Sequence, residues 1–561
     1  MDNLNLELTA AAGLGFLAHW AYFIHGERDL QAANIARVHL LFAFIIPYIM
    51  NSFLKIPIKE AIYESIKIDA AYAAALFSSI ITYRLLFSPL RNIPGPLGMK
   101  LSKLTHVVDQ AYYRNCERLH ELQKKYGDVV RTGPNEVTLF GWHAYQMVHG
   151  SDSTCGRSAY YDILHPMVSL DTVRDPLIHA HRRKVWDFAF SIRSKLTSIA
   201  MENVEPLIYE HTDKLMAQLH RRKGSSLNIC QWLEYYTFDA MGKFGLSVDF
   251  DNLSGEEHPI MSLYHIAHRR LGPLAAAPWV KHLLMGIPFI ERMKYYRMFF
   301  KWAHEELDKN IEASIQNEKA FAMAANSKEE RADVIGYVIR DAIQNGGVQK
   351  NWNFVLGDFI LVIVAGSDPV RQVLANILYY LILNPHHLVQ LRQELGQISL
   401  RDYRALHKAS HFNACLYETM RLNPPVPSSG LRMAPKGGLN FQGVHIAEGT
   451  TICTPQHSML RGVDERNYVD AEKWNPDRFN TKPELILNKQ AFTPWSIGKM
   501  SCLGKNLSLM EIRVAAAQLI MEFDFEFAPG EDGTKMFTEA IDYFTTTPGP
   551  LNLVFKSRAA S

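Results

Sequence analysis

The sequence of 561 residues has few cysteines and almost no net charge. Its six cysteines, at positions 116, 155, 230, 415, 453 and 502, are scattered, with no Cys-x-x-Cys pair and no paired spacing. This distribution predicts neither a zinc site nor a disulfide framework, and it fits a reducing, cytosol-facing location. The formal net charge of +2 gives no sign of a nucleic-acid-binding surface.

The sequence also lacks a basic n-region before its first apolar segment, which argues against a cleaved signal peptide. Apolar segments occupy residues 8–24, 35–49 and 70–87. Each approaches the ~20 residues that a bilayer span needs. Basic residues cluster at the end of the third segment, so the positive-inside rule places the remainder of the chain in the cytosol. We predict an N-terminal membrane anchor region, residues 1–91, with one to three spans; buried helices of a soluble domain are the alternative.

The most informative stretch is residues 492–506, with the sequence FTPWSIGKMSCLGKN. Its Pro and Gly residues indicate a loop, and the helical apolar pattern of residues 507–523 comes next. Cys502 therefore lies at a helix N-terminus, where free N–H groups favour an anion, and a lowered thiol pKa is expected. Gly498 and Gly504 would let a flat ligand approach the backbone. The alternative is a small buried cysteine in an ordinary turn.

The spacing of an aromatic residue, Gly498, Cys502 and Gly504 resembles the haem-thiolate loop of the cytochrome P450 monooxygenases. The resemblance implies that the Cys502 thiolate is the axial ligand of a haem b iron. Trp495 stands where the family usually has Phe, which keeps a π-system beside the sulfur. Met500 replaces the Arg that commonly meets a haem propionate, so other groups must neutralise that propionate.

His179 and Arg183 are four residues apart, so they share one face of a predicted helix. Such a pair can hold an acidic group, and the alternative is a solvated basic face. The family usually has Trp or His, three residues and then Arg at this place, which implies a role in binding a haem propionate. Arg432 is a further candidate partner for a propionate.

A long apolar segment, residues 352–383, predicts a central buried helix. The sequence Ala365-Gly366-Ser367-Asp368-Pro369 lies in its middle and resembles the family's oxygen-activation segment. The resemblance implies catalytic roles for Gly366 and Asp368, with Pro369 in place of the usual Thr. Because proline has no N–H, the helical hydrogen bond to the Ala365 carbonyl cannot form. The alternative is a kinked core helix with an incidental Asp.

Glu418 and Arg421 are three residues apart and form a natural helix ion pair, although such a pair is common by chance. The prolines after Asn423 and the downstream Pro-Asp-Arg-Phe segment around Arg478 make the pattern specific. Together these segments resemble the family's Glu-Arg…Arg triad. The resemblance implies a buried structural network of Glu418, Arg421 and Arg478.

The resemblance covers residue 92 to the C-terminus. It implies a mostly α (α+β) fold: a cytochrome P450-like helical domain, residues 92–561, with a small β-sheet domain behind an N-terminal transmembrane anchor. A Gly-Pro-Asn-Glu-Val segment around residue 135 predicts a β-hairpin. Residues 155–173 and 543–550 are expected to border the substrate pocket. A polar loop at residues 326–331 has no chemistry that we can assign.

The implied function is oxidation of a small, largely apolar organic molecule with O₂ and NADPH-derived electrons. The resemblance implies NADPH-cytochrome P450 reductase as partner, with a basic docking face formed by Lys499, Lys505 and residues 182–184. It also implies the endoplasmic reticulum membrane, with the catalytic domain facing the cytosol. The multi-segment N-terminus and the hairpin resemble fungal members that act on secondary metabolites.

Three alternatives stay open. One is radical coupling of phenols or indoles without oxygen insertion. The second is a haem protein that has lost monooxygenation and rearranges or only binds its ligand. The third is a membrane transporter, which is disfavoured because only the first sixth of the chain is membrane-like.

Overall fold

The computed structural model describes residues 2–112, 114–190, 197–287, 293–323, 333–428, 430–462 and 466–558. The predicted polar loop at 326–331 lies outside these residues. The described chain is mostly helical with four small sheets, which confirms the predicted α+β class. The helices are α1 Asp2–Ala18, α2 Ala32–Ser52, α3 Ile58–Thr82, α4 Leu97–Leu101, α5 Lys103–Tyr112, α6 Asn115–Tyr126, α7 Trp142–His149, α8 Pro176–Phe190, α9 Thr197–Arg221, α10 Ile229–Leu246, α11 Pro259–Leu271, α12 Pro278–Met285, α13 Lys294–Met323, α14 Val334–Gln344, α15 Trp352–Leu383, α16 Pro385–Leu395, α17 Tyr403–Lys408, α18 Ser410–Leu422, α19 Gln456–Arg461, α20 Lys505–Glu522 and α21 Lys535–Thr538.

The main sheet has five short strands in the order β1-β2-β8-β5-β3. The strands of the whole chain are β1 Val129–Gly133, β2 Glu136–Leu139, β3 Gly156–Arg157, β4 Ser226–Asn228, β5 Arg432–Met433, β6 Leu439–Phe441, β7 Val444–Ile446, β8 Thr451–Cys453, β9 Phe523–Phe527, β10 Ile541–Asp542, β11 Thr546–Thr547 and β12 Asn552–Ser557. The predicted hairpin is the antiparallel pair β1 and β2. Strands β3 and β5 pair with Arg157 opposite Arg432, which places two cations side by side in the sheet.

Three long helices precede the sheet, and both α1 and α2 pack against α3. Large apolar side chains on these helices face outward; Phe44, for example, is 73% exposed. The stretches Asp29–Ser52 and Ile58–Phe87 are long and apolar enough to cross a membrane, and little of either is buried inside the protein. An exposed apolar surface of this size needs a non-aqueous cover. The helices therefore support the predicted N-terminal membrane anchor.

The central helix α15 is also long and apolar enough to span a bilayer, yet 61% of its apolar window is buried inside the protein. It packs against α10, α14, α18 and α20. Because its apolar surface is covered by protein, it is the central core helix that the sequence predicts, and it runs unbroken through Pro369.

The chain enters the core of the second domain shortly after α3. Leu90 and Ile93 are 1% and 5% exposed and belong to the apolar cluster under the main sheet. The Arg131 guanidinium donates to the Arg84 carbonyl (2.9 Å) and to the Ser88 hydroxyl (3.2 Å). The segment 84–93 is thus part of the sheet's packing and not a free linker.

We predict that deletion of residues 1–82 leaves a folded, haem-binding domain that is soluble or loosely membrane-attached. Deletion of residues 1–93 should lower the free energy of unfolding by about 3–6 kcal/mol, since two buried apolar side chains are lost at about 1.5–3 kcal/mol each. Haem content and denaturant midpoints of the two truncated proteins measure the difference. Equal stability of both would show that Leu90 and Ile93 do not contribute to the core.

Candidate functional site

Cys502 lies in a loop that is fixed by the backbone on both sides. Its amide donates to the Trp495 carbonyl at 2.8 Å. The amides of Gly504 and Lys505, at the start of α20, hydrogen-bond the Cys502 sulfur. Cys502 is also the exposed one of the six cysteines, and the others are buried or half-buried. The residue therefore presents its sulfur to open space, as an axial ligand must.

The expected drop in the Cys502 pKa does not occur in the protein alone. Burial by the surrounding protein atoms raises the pKa of the thiol above its ordinary value, although the two amides and the charges of Arg183 and Lys505 lower it. Desolvation disfavours the thiolate, and two amide dipoles do not compensate for it. A cation bound at the sulfur would favour the deprotonated form directly.

The two loop glycines have different physical causes. Gly498 has φ +70°, and a Cβ there would lie 2.3 Å from the His149 carbonyl oxygen. It is therefore required for the close approach of the loop to the end of α7. A Cβ on Gly504 would meet only the Cys502 sulfur, at 3.9 Å. Only Gly504 leaves open space of the kind a flat ligand needs.

An aromatic cluster joins the loop to the predicted triad. The Phe492 ring, at the start of the loop, lies 4.9 Å from the ring of Phe479 and 5.7 Å from that of Tyr417. These two residues are the chain neighbours of Arg478 and Glu418. Trp495 packs edge-on against Phe492 at 6.3 Å. The Lys505 ammonium lies 5.0 Å from the Trp495 ring centre, a cation–π distance.

A cluster of cations lies beside this loop. His179 and Arg183 come from α8, and Arg157 and Arg432 from the paired strands β3 and β5. Burial lowers the pKa of His179 to about 4, and the nearby guanidinium charges add to this effect. The Arg183 guanidinium donates to the Ser501 carbonyl at 2.7 Å, which links the cluster to the residue preceding Cys502.

Arg157 and Arg432 are only 5% and 6% exposed, and neither forms an ion pair with a carboxylate among the residues that the structure describes. The buried Nε of Arg157 has no hydrogen-bond partner there. Arg432 donates to the Tyr161 hydroxyl at 3.0 Å. Buried cations without a counter-charge are costly, so this cluster fits the binding of an anionic group. The two carboxylates of a haem are such a group, and the donors compensate for the missing Arg at position 500.

The sequence reasoning found three members of this cation cluster and missed Arg157. Its segment was interpreted only as a loop over the pocket. The one signal was its pairing with Arg432 across two short strands, which single-sequence patterns do not reveal.

One face of α15 borders open space in the middle of the buried helix. Ala365 is exposed, and Leu361 and Pro369, four residues away on either side, are half-buried. These positions lie on one helical face. Because Pro369 donates no N–H, the Ala365 carbonyl on this face has no helical hydrogen-bond donor. The arrangement leaves a backbone acceptor available to a ligand or water.

Gly366 and Asp368 make their contacts away from that face. A Cβ on Gly366 would lie 2.4 Å from the Met241 methyl, so this glycine allows α15 to pack against α10. The Asp368 carboxylate is 1% exposed and accepts from Arg371 at 2.8 Å and from the Tyr264 hydroxyl at 2.6 Å. The predicted catalytic roles of both residues remain predictions, and their observed contacts are structural.

Asp368 belongs to a polar network that reaches the surface. Arg371 also pairs with Glu234 at 2.5 Å, and Glu234 contacts the partly exposed His265 at 2.9 Å. Burial, then the charge of Asp368, raises the pKa of Tyr264, so its hydroxyl stays protonated and donates. Glu234, Tyr264 and Arg371 were not predicted; only the Asp368–Arg371 spacing of three residues hinted at them.

The predicted triad residues lie together and are fully buried. The Arg421 guanidinium donates to Glu418 through two bonds of 2.7 and 2.9 Å, and Arg478 Nε donates to the same carboxylate at 2.9 Å. All three side chains are 0% exposed. Arg421 and Arg478 also donate to main-chain carbonyls between residues 460 and 473. The network ties α18 to the irregular chain that leads to the Cys502 loop.

The predicted docking face contains one residue that does not belong there. Arg182 is buried and paired with the fully buried Asp358, which also accepts from the Trp186 indole at 2.9 Å. Lys184, Lys499 and Lys505 are exposed.

Comparison with known proteins agrees with these features. The profile of the family Cytochrome P450 matches residues 40–555. Cytochrome P450 monooxygenase FCK2 of Fusarium pseudograminearum is 31% identical, over 97% of this chain and 96% of its own length. Tryprostatin B 6-hydroxylase of Aspergillus fumigatus is 32% identical, over 95% of this chain and 94% of its own. The solved structure of retinoic acid bound cyanobacterial CYP120A1 superposes with a TM-score of 0.63 at 20% identity, covering 83% of this chain and 99% of that one.

We predict that Glu418→Ala lowers the free energy of unfolding by about 3–5 kcal/mol, because two buried guanidiniums lose their counter-charge. Little haem-loaded protein should accumulate. The matched control is Glu526→Ala, which removes an exposed 2.7 Å pair with Lys556 and should cost at most about 1 kcal/mol. Normal haem content with an altered product profile in Glu418→Ala would assign the residue to the pocket instead.

Proposed function

The chain belongs to the cytochrome P450 family, and from that premise we propose that it is a haem-thiolate monooxygenase acting on a small, largely apolar fungal secondary-metabolite intermediate. The proposal rests on one juxtaposition: an exposed cysteine sulfur next to a cluster of buried cations, joined by the 2.7 Å bond from Arg183 to Ser501. A thiolate ligand and a carboxylate-binding cluster at one place fit the two ends of a haem b group.

The residues that would hold the haem are Cys502 at the iron, and Arg157, His179, Arg183 and Arg432 at the propionates. Haem with a thiolate ligand supplies the activation of O₂ by electron transfer. The protein's own contribution is to exclude water and orient the substrate. Gly504 leaves room beside the sulfur, and the Ala365 face of α15 offers a free backbone carbonyl.

Aromatic side chains support an apolar substrate. The two segments expected to border the pocket contact each other, because the Tyr160 hydroxyl donates to the Tyr543 carbonyl at 3.0 Å. The Phe544 ring stacks on Tyr160 at 6.2 Å and meets Tyr161 edge-on at 6.4 Å. Such a surface favours flat, apolar molecules. The name of the Aspergillus fumigatus relative, a tryprostatin B hydroxylase, is consistent with this substrate class.

We further propose that electrons come from NADPH through NADPH-cytochrome P450 reductase. Exposed Lys184, Lys499 and Lys505 give its acidic surface a docking face. The anchor helices would hold the protein in the endoplasmic reticulum membrane with the catalytic domain in the cytosol. The six unpaired cysteines suit that reducing compartment.

A second candidate function is haem-dependent coupling or rearrangement without oxygen insertion. The observation that favours it is Pro369, since this helix lacks the hydroxyl that usually helps deliver protons. Product mass separates the two functions, because coupling or rearrangement adds no oxygen atom.

We predict that Cys502→Ser abolishes the thiolate type of reduced carbonyl spectrum and the activity, because the alcohol is not an equivalent iron ligand. Cys155→Ser, at a half-buried cysteine outside the loop, is the control and should keep both. Retention of the thiolate spectrum in Cys502→Ser would refute the site. A normal spectrum in wild type without any oxygenated product would favour the second function.

We predict that turnover depends on a polar group of the substrate or on a water held at the Ala365 carbonyl. Analogues without the polar group should consume NADPH and release peroxide. Pro369→Thr restores both a hydroxyl and an N–H, so it should reduce the peroxide released per NADPH with these analogues. The control Val370→Thr places a hydroxyl on the packed face, since Val370 is 1% exposed. Equal coupling with all substrates, unchanged by Pro369→Thr, would exclude this account.

A further inference from the structure

A second group of metal-ligating side chains lies outside the haem site, between helices α16 and α18. His387 comes from α16, and His411 and Cys415 come from successive turns of α18. One ligand atom of each residue lies within 4.8 Å of the other two, and all three residues are buried. Positions 411 and 415 share one helical face, which is why both reach the same point.

The separations match those of ligands around one tetrahedral ion. His387 Nδ1 lies 3.2 Å from His411 Nε2, and Cys415 Sγ lies 3.8 Å from the same nitrogen. Zn–N bonds of about 2.05 Å and a Zn–S bond of about 2.3 Å at tetrahedral angles place two nitrogens about 3.4 Å apart, and nitrogen and sulfur about 3.6 Å apart. The three atoms would move by only a few tenths of an ångström to bind zinc.

Hydrogen bonding within the cluster does not satisfy all three groups. His411 Nε2 faces both His387 Nδ1 and Cys415 Sγ. A single ring nitrogen offers one proton or one lone pair, so it serves one of these two partners well. One ion between the three atoms would accept a lone pair from each of them.

The surroundings suit a cation. The Glu394 carboxylate accepts the His411 and Phe412 amides at 3.1 and 2.8 Å, and its charge and that of Asp477 act on His411 and Cys415. Burial lowers the pKa of His387 to about 4, so its ring is neutral and able to bind a metal. The two histidines keep 6% and 8% exposure, so the cluster lies close to the surface.

We propose that His387 Nδ1, His411 Nε2 and Cys415 Sγ form a structural zinc site that clamps α16 to α18. Two imidazoles and one thiolate are a ligand set that Zn²⁺ prefers, and water can complete the coordination. The Cys415 thiol gives its proton to solvent on binding, and no redox change is involved. Because Glu418 and Arg421 lie on the following turn of α18, the clamp would also steady the triad.

The test is the zinc content of detergent-purified, full-length haem protein. After dialysis against a weak zinc chelator, plasma mass spectrometry should give about one zinc per haem iron. Cys415→Ser and His387→Gln should each reduce the retained zinc by more than tenfold, since each removes a direct ligand. The control Cys453→Ser alters a buried cysteine whose sulfur contacts the Ser428 carbonyl, and it should retain zinc like wild type.

Thermal unfolding gives a second readout, independent of catalysis. Added Zn²⁺ should raise the Tm of zinc-stripped wild-type protein and leave that of His387→Gln unchanged. The two ligand variants change different helices, so the misfolding of one leaves the other to decide. Wild-type protein with less than about a tenth of a zinc per haem and no Tm response to added Zn²⁺ would overturn the proposal. Full zinc retention in both ligand variants would do so as well.

Discussion

The Glu418 carboxylate, shared between two buried guanidiniums, is the interaction on which the presentation of Cys502 depends. It joins α18 to the irregular segment around Arg478. The neighbouring Tyr417 and Phe479 rings pack on Phe492, where the Cys502 loop begins. A charge network is directional, and apolar packing is not, so the network sets the place of a loop that has little regular structure of its own.

The cost of burying charge explains the wider arrangement. Asp358, Asp368 and Glu418 are buried carboxylates, and each is paired with an arginine. Arg157 and Arg432 are buried cations of the opposite kind, with no carboxylate paired to them among the described residues. The difference separates structural networks from a place prepared for an anionic ligand. It also accounts for the tolerance of Met at position 500, because the cations are supplied by the sheet.

Sequence reasoning performed well where a feature is local. Helix periodicity and the Cys502 loop were sufficient for the fold class, and the three-residue spacing of Glu418 and Arg421 placed that pair correctly. The expected effect of a helix N-terminus on the Cys502 pKa was wrong for the protein alone, because burial outweighs two amide hydrogen bonds. The role of Gly498 was also misjudged, since contact with the His149 backbone, and not a ligand, requires a glycine there.

The sequence by itself determined the class of the protein, because the thiolate loop, the central apolar helix and the anchor segments are each continuous in the chain. Only the tertiary structure decided which groups meet. Strand pairing brings Arg157 to Arg432, helix packing turns Asp368 toward Arg371 and leaves Ala365 open, and α16 carries His387 to Cys415. Periodicity tells which residues share a face, whereas the partner that packs against that face depends on contacts between residues far apart in sequence.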